Sequence, residues 1–183
     1  MNEGQIHVYT GDGKGKTTAS VGLLIRGAGA GLKGAFLQFD KGSEGEDFYY
    51  ERKIMRDTAH IDVYPTGKIR MMPDGHFRFT NSPPDFEEAQ RGLKLAKSII
   101  SEKKYDIIVL DEILSSIMTK LIQEKEVLDL LDTYESADRH GDLILTGRAL
   151  PESIKVRADL VTEMKMIKHY FVKGLPARKG IEF

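Results

Sequence analysis

Thr10-Gly11-Asp12-Gly13-Lys14-Gly15-Lys16-Thr17-Thr18 is the stretch whose reading decides the fold. Gln5-Ile6-His7-Val8-Tyr9 ahead of it reads as a short strand and Thr18 to Ala30 behind it as a helix. That is the strand, glycine loop and helix setting of a phosphate-binding loop. Glycines let successive backbone N–H groups turn inward on an anion, at a helix N-terminus where orphan donors and the macrodipole favour negative charge. Lys16 adds an ammonium for phosphates, and the Thr17 hydroxyl suits Mg²⁺. The spacing is off the general pattern. The first glycine of G-x-x-x-x-G-K-[ST] should fall at position 10, which is Thr10. The loop is either one residue short, starting at Gly11, or opened by a threonine. A glycine-rich turn with a merely solvated lysine is the bland alternative, and the flanking strand and helix argue against it.

A chain of 183 residues suffices for one α/β domain with a full core and is short for two, so a single P-loop nucleotide-binding domain over residues 1–183 is expected. Lysine plus arginine number 27 against 28 for aspartate plus glutamate, so no global basic footprint for nucleic acid is present. The absence of cysteine excludes disulfides, thiolate metal sites and a cysteine nucleophile, and makes the cytoplasm the simplest compartment. Met1-Asn2-Glu3-Gly4 lacks the pattern of a secretion signal, and no apolar run approaches the ~20 residues of a membrane span. No membrane association is expected.

Along the chain, Val21, Leu24, Ile25 and Ala28 fall at helical spacing, and Gly27-Ala28-Gly29-Ala30-Gly31 stops the helix. Gly29-x-Gly31-x-x-Gly34 spells a dinucleotide fingerprint, but it follows a helix and opens a strand, the reverse of what that motif needs. Lys33 to Asp40 reads as the second strand, Lys41 to Asp47 as a loop, Phe48 to Asp57 as a short helix and His60 to Tyr64 as a strand. Lys68 to Asn81 mixes basic and aromatic residues without clear period, and reads equally as a surface loop or as a wall for a flat ligand. Ser82-Pro83-Pro84-Asp85 starts a helix whose face is Phe86, Ala89, Leu93, Ala96 and Ile100.

Tyr105-Asp106-Ile107-Ile108-Val109-Leu110-Asp111-Glu112 is the second informative motif. An apolar run without alternation indicates a strand buried on both faces, hence a parallel sheet. Carboxylates at its end are what a P-loop protein uses to hold Mg²⁺ and order water, and beside a phosphate loop this role is favoured over simple helix capping. Val127, Leu130, Leu131 and Tyr134 mark another helical face. Asp142 to Thr146 is a further buried strand that presents Arg148 at the ligand edge. A proline-started helix follows near Pro151, Ala158 to Ile167 looks like a last strand, and the remainder reads as a tail. The histidines are scattered, and none is taken as a metal ligand.

Together these residues resemble the P-loop family of ATP:corrinoid adenosyltransferases, which act on cobalamin and its precursors. The likeness spans nearly the whole chain. It rests on Thr10 to Thr18, Gln38-Phe39 with Lys41-Gly42, Val109-Leu110-Asp111-Glu112 and Thr146-Gly147-Arg148, and in the tail on Ala158 to Met164, Lys168-His169 and Gly180-Ile181-Glu182. The short loop is itself a mark of that family. The resemblance implies a RecA-like P-loop fold, a mostly parallel α/β sheet flanked by helices. It implies ATP as co-substrate, bound in reversed orientation, Mg²⁺ as cofactor, and a corrinoid whose Co(I) attacks C5′ and expels triphosphate. By position, Gly11, Asp12, Gly13, Lys14, Gly15, Lys16, Thr17 and Thr18 bind the triphosphate, Thr17 and Glu112 hold Mg²⁺ with Asp111 close by, and Lys16, Glu112 and Arg148 are the catalytic set. A homodimer is implied, with an electron-donating flavoprotein as a further partner.

The chain departs from the family pattern at several positions. Lys68-Ile69-Arg70 follows Gly67 where members often carry an aromatic pair, Asp40 stands where apolar or basic residues are commoner, Ala149 where glycine is common, and Arg178 where glutamine is frequent. The sequence starts just before its first strand, so the N-terminal lid of some members is expected to be missing. The corrinoid wall is expected from Lys68 to Phe79, the loop Lys41 to Asp47 and the tail from Lys168. Rival readings are an ordinary P-loop NTPase or kinase cutting at the γ-phosphate, and a non-catalytic nucleotide-dependent module that binds nucleic acid or a corrinoid.

Overall fold

A computed structural model of the chain describes residues 3–42, 49–70, 78 and 80–182. Six strands, β1 (Ile6–Thr10), β2 (Gly34–Gln38), β3 (Ile61–Pro65), β4 (Ile107–Asp111), β5 (Asp142–Thr146) and β6 (Leu160–Glu163), form one sheet of order β3-β2-β4-β5-β1-β6. Every neighbouring pair is parallel. This is the α/β architecture expected from the unbroken apolar runs. Residue parity shows how both faces are used. Ile107 and Val109 of β4 pack with Phe36, Ile144 and Leu24, while Ile108 and Leu110 pack with Ala35, Leu37, Leu143 and Leu145 in the larger cluster. The first face is covered by α1 (Lys16–Gly29) and α2 (Glu51–Arg56), the second by α3 (Pro83–Ser101) and α5 (Glu124–Ser136). Two short helices, α4 (Ile113–Met118) and α6 (Glu152–Lys155), follow β4 and β5.

Several expectations change in detail. The buried face of α1 is Lys16, Ser20, Leu24 and Gly27, whereas Ile25 is 41% exposed. Small residues let the helix lie close to the sheet, with Gly27 directly over Ile107. Phe86 is 44% exposed, because Asp85 takes the inward position in the first turn of α3. The last strand is only Leu160–Glu163, since Met164 leaves the ladder to cross the phosphate loop. No sequence signal announced α4, which starts directly after β4 behind a left-handed Glu112. Most of the expected Lys41 to Asp47 loop and of the Lys68 to Phe79 wall, namely residues 43–47, 71–77 and 79, lies outside the described residues, as does Phe48, the first residue of the expected Phe48 to Asp57 helix.

Two arginine and aspartate pairs fasten the ends of the Lys68 to Asn81 segment. Arg70 Nε donates to Asp40 Oδ1 at 2.7 Å, and its other nitrogens donate to the Arg78 and Thr80 carbonyls and to Asn81 Oδ1. Arg78 grips Asp85 through two bonds of 2.6 and 2.8 Å, while Asp85 also closes the capping box with Ser82. Asp40 and Arg70, two of the departures from the family pattern, are thus partners in one ion pair.

Asp85 is 1% exposed. Its carboxyl is held well below the ordinary range, first by Arg78 and then, against the opposing effect of burial, by Ser82. A carboxylate that binds protons less readily folded than unfolded contributes fully above its ordinary pKa, and its contribution fades as pH falls below that value. Asp85→Asn is therefore expected to lower stability at pH 7 by about 3 kcal/mol and to flatten the loss of stability on acidification below about pH 4. Urea unfolding of both proteins across that range checks this.

Candidate active site

Strand parity assembles the polar end of the site. Gln38, Asp111 and Thr146 each end an apolar strand, lie on the α1 side of the sheet, and are 0% exposed. The register sets Gln38 beside Asp111. A carboxylate removed from water must be surrounded by donors, and this one is. Thr17 Oγ1 and Thr146 Oγ1 donate to Asp111 Oδ1 at 2.9 and 2.7 Å, and Gln38 Nε2 faces Oδ2 at 3.3 Å. Burial still pushes the Asp111 carboxyl up, against the nearby Lys41 charge. Because Thr17 spends its proton on Asp111, its oxygen lone pairs are free for a cation. Thr146 also accepts from the Glu112 N–H at 2.9 Å, which ties the two neighbouring carboxylates together.

Glu112 has φ 62 and ψ 15, a left-handed conformation uncommon outside glycine. It is the N-cap of α4, yet its side chain makes no capping bond, so the helix-capping alternative does not describe it. The turn sends the carboxylate instead to Lys41 Nζ, 3.7 Å away, with both side chains about one-fifth exposed (21% and 23%). Burial opposes the charge on each. On Lys41, burial is the largest single effect, but Glu112 together with Tyr49, Asp111 and Glu51 raises the ammonium above the ordinary lysine range; on Glu112, Lys41, the Ser115 hydroxyl, Lys16 and Arg148 together overcome burial and hold the carboxyl low. Gly147, φ +140, is needed because a Cβ would stand 2.5 Å from the Ser115 nitrogen. That close approach brings the Arg148 N–H to Ser115 Oγ at 3.0 Å. The exposed Arg148 side chain lies near enough for its charge to act on Lys16, Asp12 and Glu112. Ala149 has φ 55, which explains why glycine suits that position.

The loop itself opens at Gly11, φ +102, and closes at Gly15, φ +120, the N-cap of α1. Thr10 is the last residue of β1, so the loop is the short form. Lys16 folds back over it and donates to the Gly11 and Gly13 carbonyls at 2.8 and 2.7 Å. Burial lowers its pKa, and Arg148 adds to that. The tail lies on the other side of the loop. Met164 and Thr10, then Gly13 and Met164, exchange backbone bonds of 2.8 and 2.7 Å; Met166 N–H reaches Asp12 Oδ1 at 3.0 Å, and Lys14 Nζ reaches the Ile181 carbonyl at 2.7 Å. Thr10, Asp12, Gly13 and Lys14 are therefore bound to the tail. Thr18 is exposed on the first turn of α1.

The residues expected for the triphosphate and the metal thus fall on one rim, at the C-terminal ends of β1, β4 and β5. Sequence reasoning missed Arg52, and it named Gln38, Lys41 and Thr146 within motifs without assigning them their contacts with Asp111 and Glu112. A polar residue closing each apolar strand was the available signal for Gln38 and Thr146. Among the described residues no group of three or more histidine, aspartate or glutamate side chains could hold a metal ion alone. No helix among them is long and apolar enough to cross a membrane.

Comparison with known proteins agrees with this geometry. A family model described as ATP:corrinoid adenosyltransferase BtuR/CobO/CobP matches residues 2–183. The chain is 33% identical over 183 residues to a corrinoid adenosyltransferase of Sinorhizobium sp, covering 99% of this chain and 81% of that protein. It is 29% identical to a corrinoid adenosyltransferase of Pseudomonas aeruginosa, with 98% and 84% covered. It is 30% identical to the Salmonella typhimurium protein named corrinoid adenosyltransferase CobA, with 98% and 86% covered.

The tail contacts separate two loop glycines. A Cβ on Gly13 would stand 2.6 Å from the Met164 carbonyl oxygen, whereas one on Gly15 meets nothing within 4 Å. Gly13→Ala should therefore lift the tail, so that trypsin cuts at Lys165 and Lys168 several-fold faster than in the wild type. Gly15→Ala, which strains only its own backbone, should leave those cleavage rates unchanged.

Proposed function

The chain belongs to the ATP:corrinoid adenosyltransferase family, and from that premise we propose how its residues divide the work. Co(I) of the corrinoid attacks C5′ of ATP; the cobalt–carbon bond forms as the bond from C5′ to the α-phosphate oxygen breaks, and triphosphate leaves with that electron pair. The observation that carries this reading is that neither site carboxylate is set up as a base. Asp111 is sealed by donors on both oxygens, and Glu112 is neutralised by Lys41. A γ-phosphate hydrolase needs a group to orient water. A substrate that brings its own nucleophile needs only positioning and charge stabilisation.

In this reading the loop N–H groups from Gly11 to Thr18, other than the Gly13 N–H that donates to the Met164 carbonyl, cradle the triphosphate, and Lys16 exchanges the Gly11 and Gly13 carbonyls for phosphate oxygens. Arg148 offsets charge that grows on the leaving group. Thr17 and Glu112 are suited to Mg²⁺, which characteristically takes one or two protein oxygens together with phosphates. Asp111 acts on it through the Thr17 hydroxyl. When bound, the ion supplies charge neutralisation of the triphosphate. The corrinoid is placed by Lys41-Gly42, the Lys68 to Arg70 strip and the tail from Lys168. An electron-donating flavoprotein supplies reduced cobalt in the cytoplasm. A homodimer is supported by exposed apolar residues on the edge strand and tail, among them Leu160, Val161 and Phe171.

Phosphorus NMR of an anaerobic reaction with ATP and reduced cobalamin should show triphosphate in amounts equal to the adenosylated corrinoid. ADP and orthophosphate formed at a rate indifferent to corrinoid would overturn the reading in favour of an ordinary NTPase. Glu112→Gln keeps shape and removes charge, and activity should fall at least tenfold with a raised Mg²⁺ requirement. An unchanged Mg²⁺ titration would move the ion away from Glu112.

A further inference from the structure

Arg52 belongs to none of the motifs that point to the site, yet it is 0% exposed on the short helix α2. Its Nε donates to Gln38 Oε1 at 2.6 Å, and its terminal nitrogen donates to the Lys41 main-chain oxygen at 2.7 Å. Arginine carries donors only, so the Gln38 amide has one sensible orientation: oxygen toward Arg52, nitrogen toward Asp111. The guanidinium also polarises that amide and strengthens the N–H it offers the carboxylate. Asp111 is among the charges that act on Arg52. Burying a guanidinium is expensive, and methionine would fill similar space at lower cost, so volume alone does not account for an arginine here.

We propose that Arg52 is a positioning residue for adenosyl transfer. Through Gln38 it fixes Asp111, and so the direction of the Thr17 hydroxyl; through the Lys41 carbonyl it fixes the ammonium that faces Glu112. The path runs from α2 through β2 and β4 to the first turn of α1, and delivers to the nucleotide a Thr17 oxygen whose proton is already committed. The proposal rests on the reading of Thr17 as a nucleotide-side ligand.

Calorimetry of ATP with Mg²⁺, without corrinoid, tests both. Circular dichroism first establishes that each variant is folded at the temperature used. Arg52→Met and Gln38→Met should each weaken ATP binding about tenfold, the double variant should be no weaker than Arg52→Met alone, and Arg52→Lys should recover part of the loss. Thr17→Val in the same assay separates the two readings. If Thr17→Val is weakened while Arg52→Met binds as the wild type does, the positioning role falls and the Thr17 reading stands. If Thr17→Val binds as tightly as the wild type, both fall. Additive losses in the Arg52 and Gln38 pair would also overturn the relay. Should Arg52→Met fail to fold, the cycle of Gln38→Met with Thr17→Val takes its place: non-additive losses support the relay and additive ones remove it.

Discussion

A carboxylate with no exposure to water is the constraint from which the rest of this structure follows. Asp111 ends a strand that is apolar on both faces, so the fold cannot relax around it by admitting solvent, and every lone pair it needs to satisfy must be met by protein. The donors come from three separate elements: Thr17 on α1, Thr146 on β5 and Gln38 on β2. Each of those elements is thereby located relative to β4 to within a hydrogen bond. The phosphate loop is fixed against the carboxylate strand by the Thr17 bond, although β5 lies between β1 and β4 in the sheet.

The same constraint explains the division of roles between adjacent carboxylates. Parity points Asp111 inward, to the face of Val109 and α1. Glu112 is freed from the strand by its left-handed turn and paired with Lys41, with the Ser115 hydroxyl beside it. One acid orients a neighbour, and the other is ion-paired at the rim. Neither state is a property of the residue type; both follow from where a strand of five residues ends.

Much of this was legible in the sequence. Glycine spacing, an unalternating Ile-Ile-Val-Leu run and the Thr-Gly-Arg at the end of β5 are local patterns with direct physical meanings, and they located the sheet, its parallel sense and the rim that carries the candidate site. Phe86 misled because apolar periodicity was extended into a first turn where capping chemistry rules. Arg52 was invisible because its partners are contributed by residues 14 and 11 positions earlier in the chain, across a loop. Asp40 and Arg70 read as two separate departures from a family pattern, and only their meeting in space makes them one feature. The tail read as lying outside the core because of its glycines and charges, while its contacts with the loop run largely through its own main chain, at Met164, Met166 and Ile181, which no side-chain pattern reports.

The position of β1 has a consequence for how the protein is made. Its sheet neighbours are β5 and β6, so β1 has no sheet partner until residues 142–163 have been synthesised. The glycine loop after β1 is completed by residues roughly 150 positions further along the chain, at Met164, Met166 and Ile181. Contacts so distant in sequence slow folding. During translation β1 and α1 therefore wait, with their apolar faces uncovered, and prematurely terminated chains carry the loop without the means to finish it.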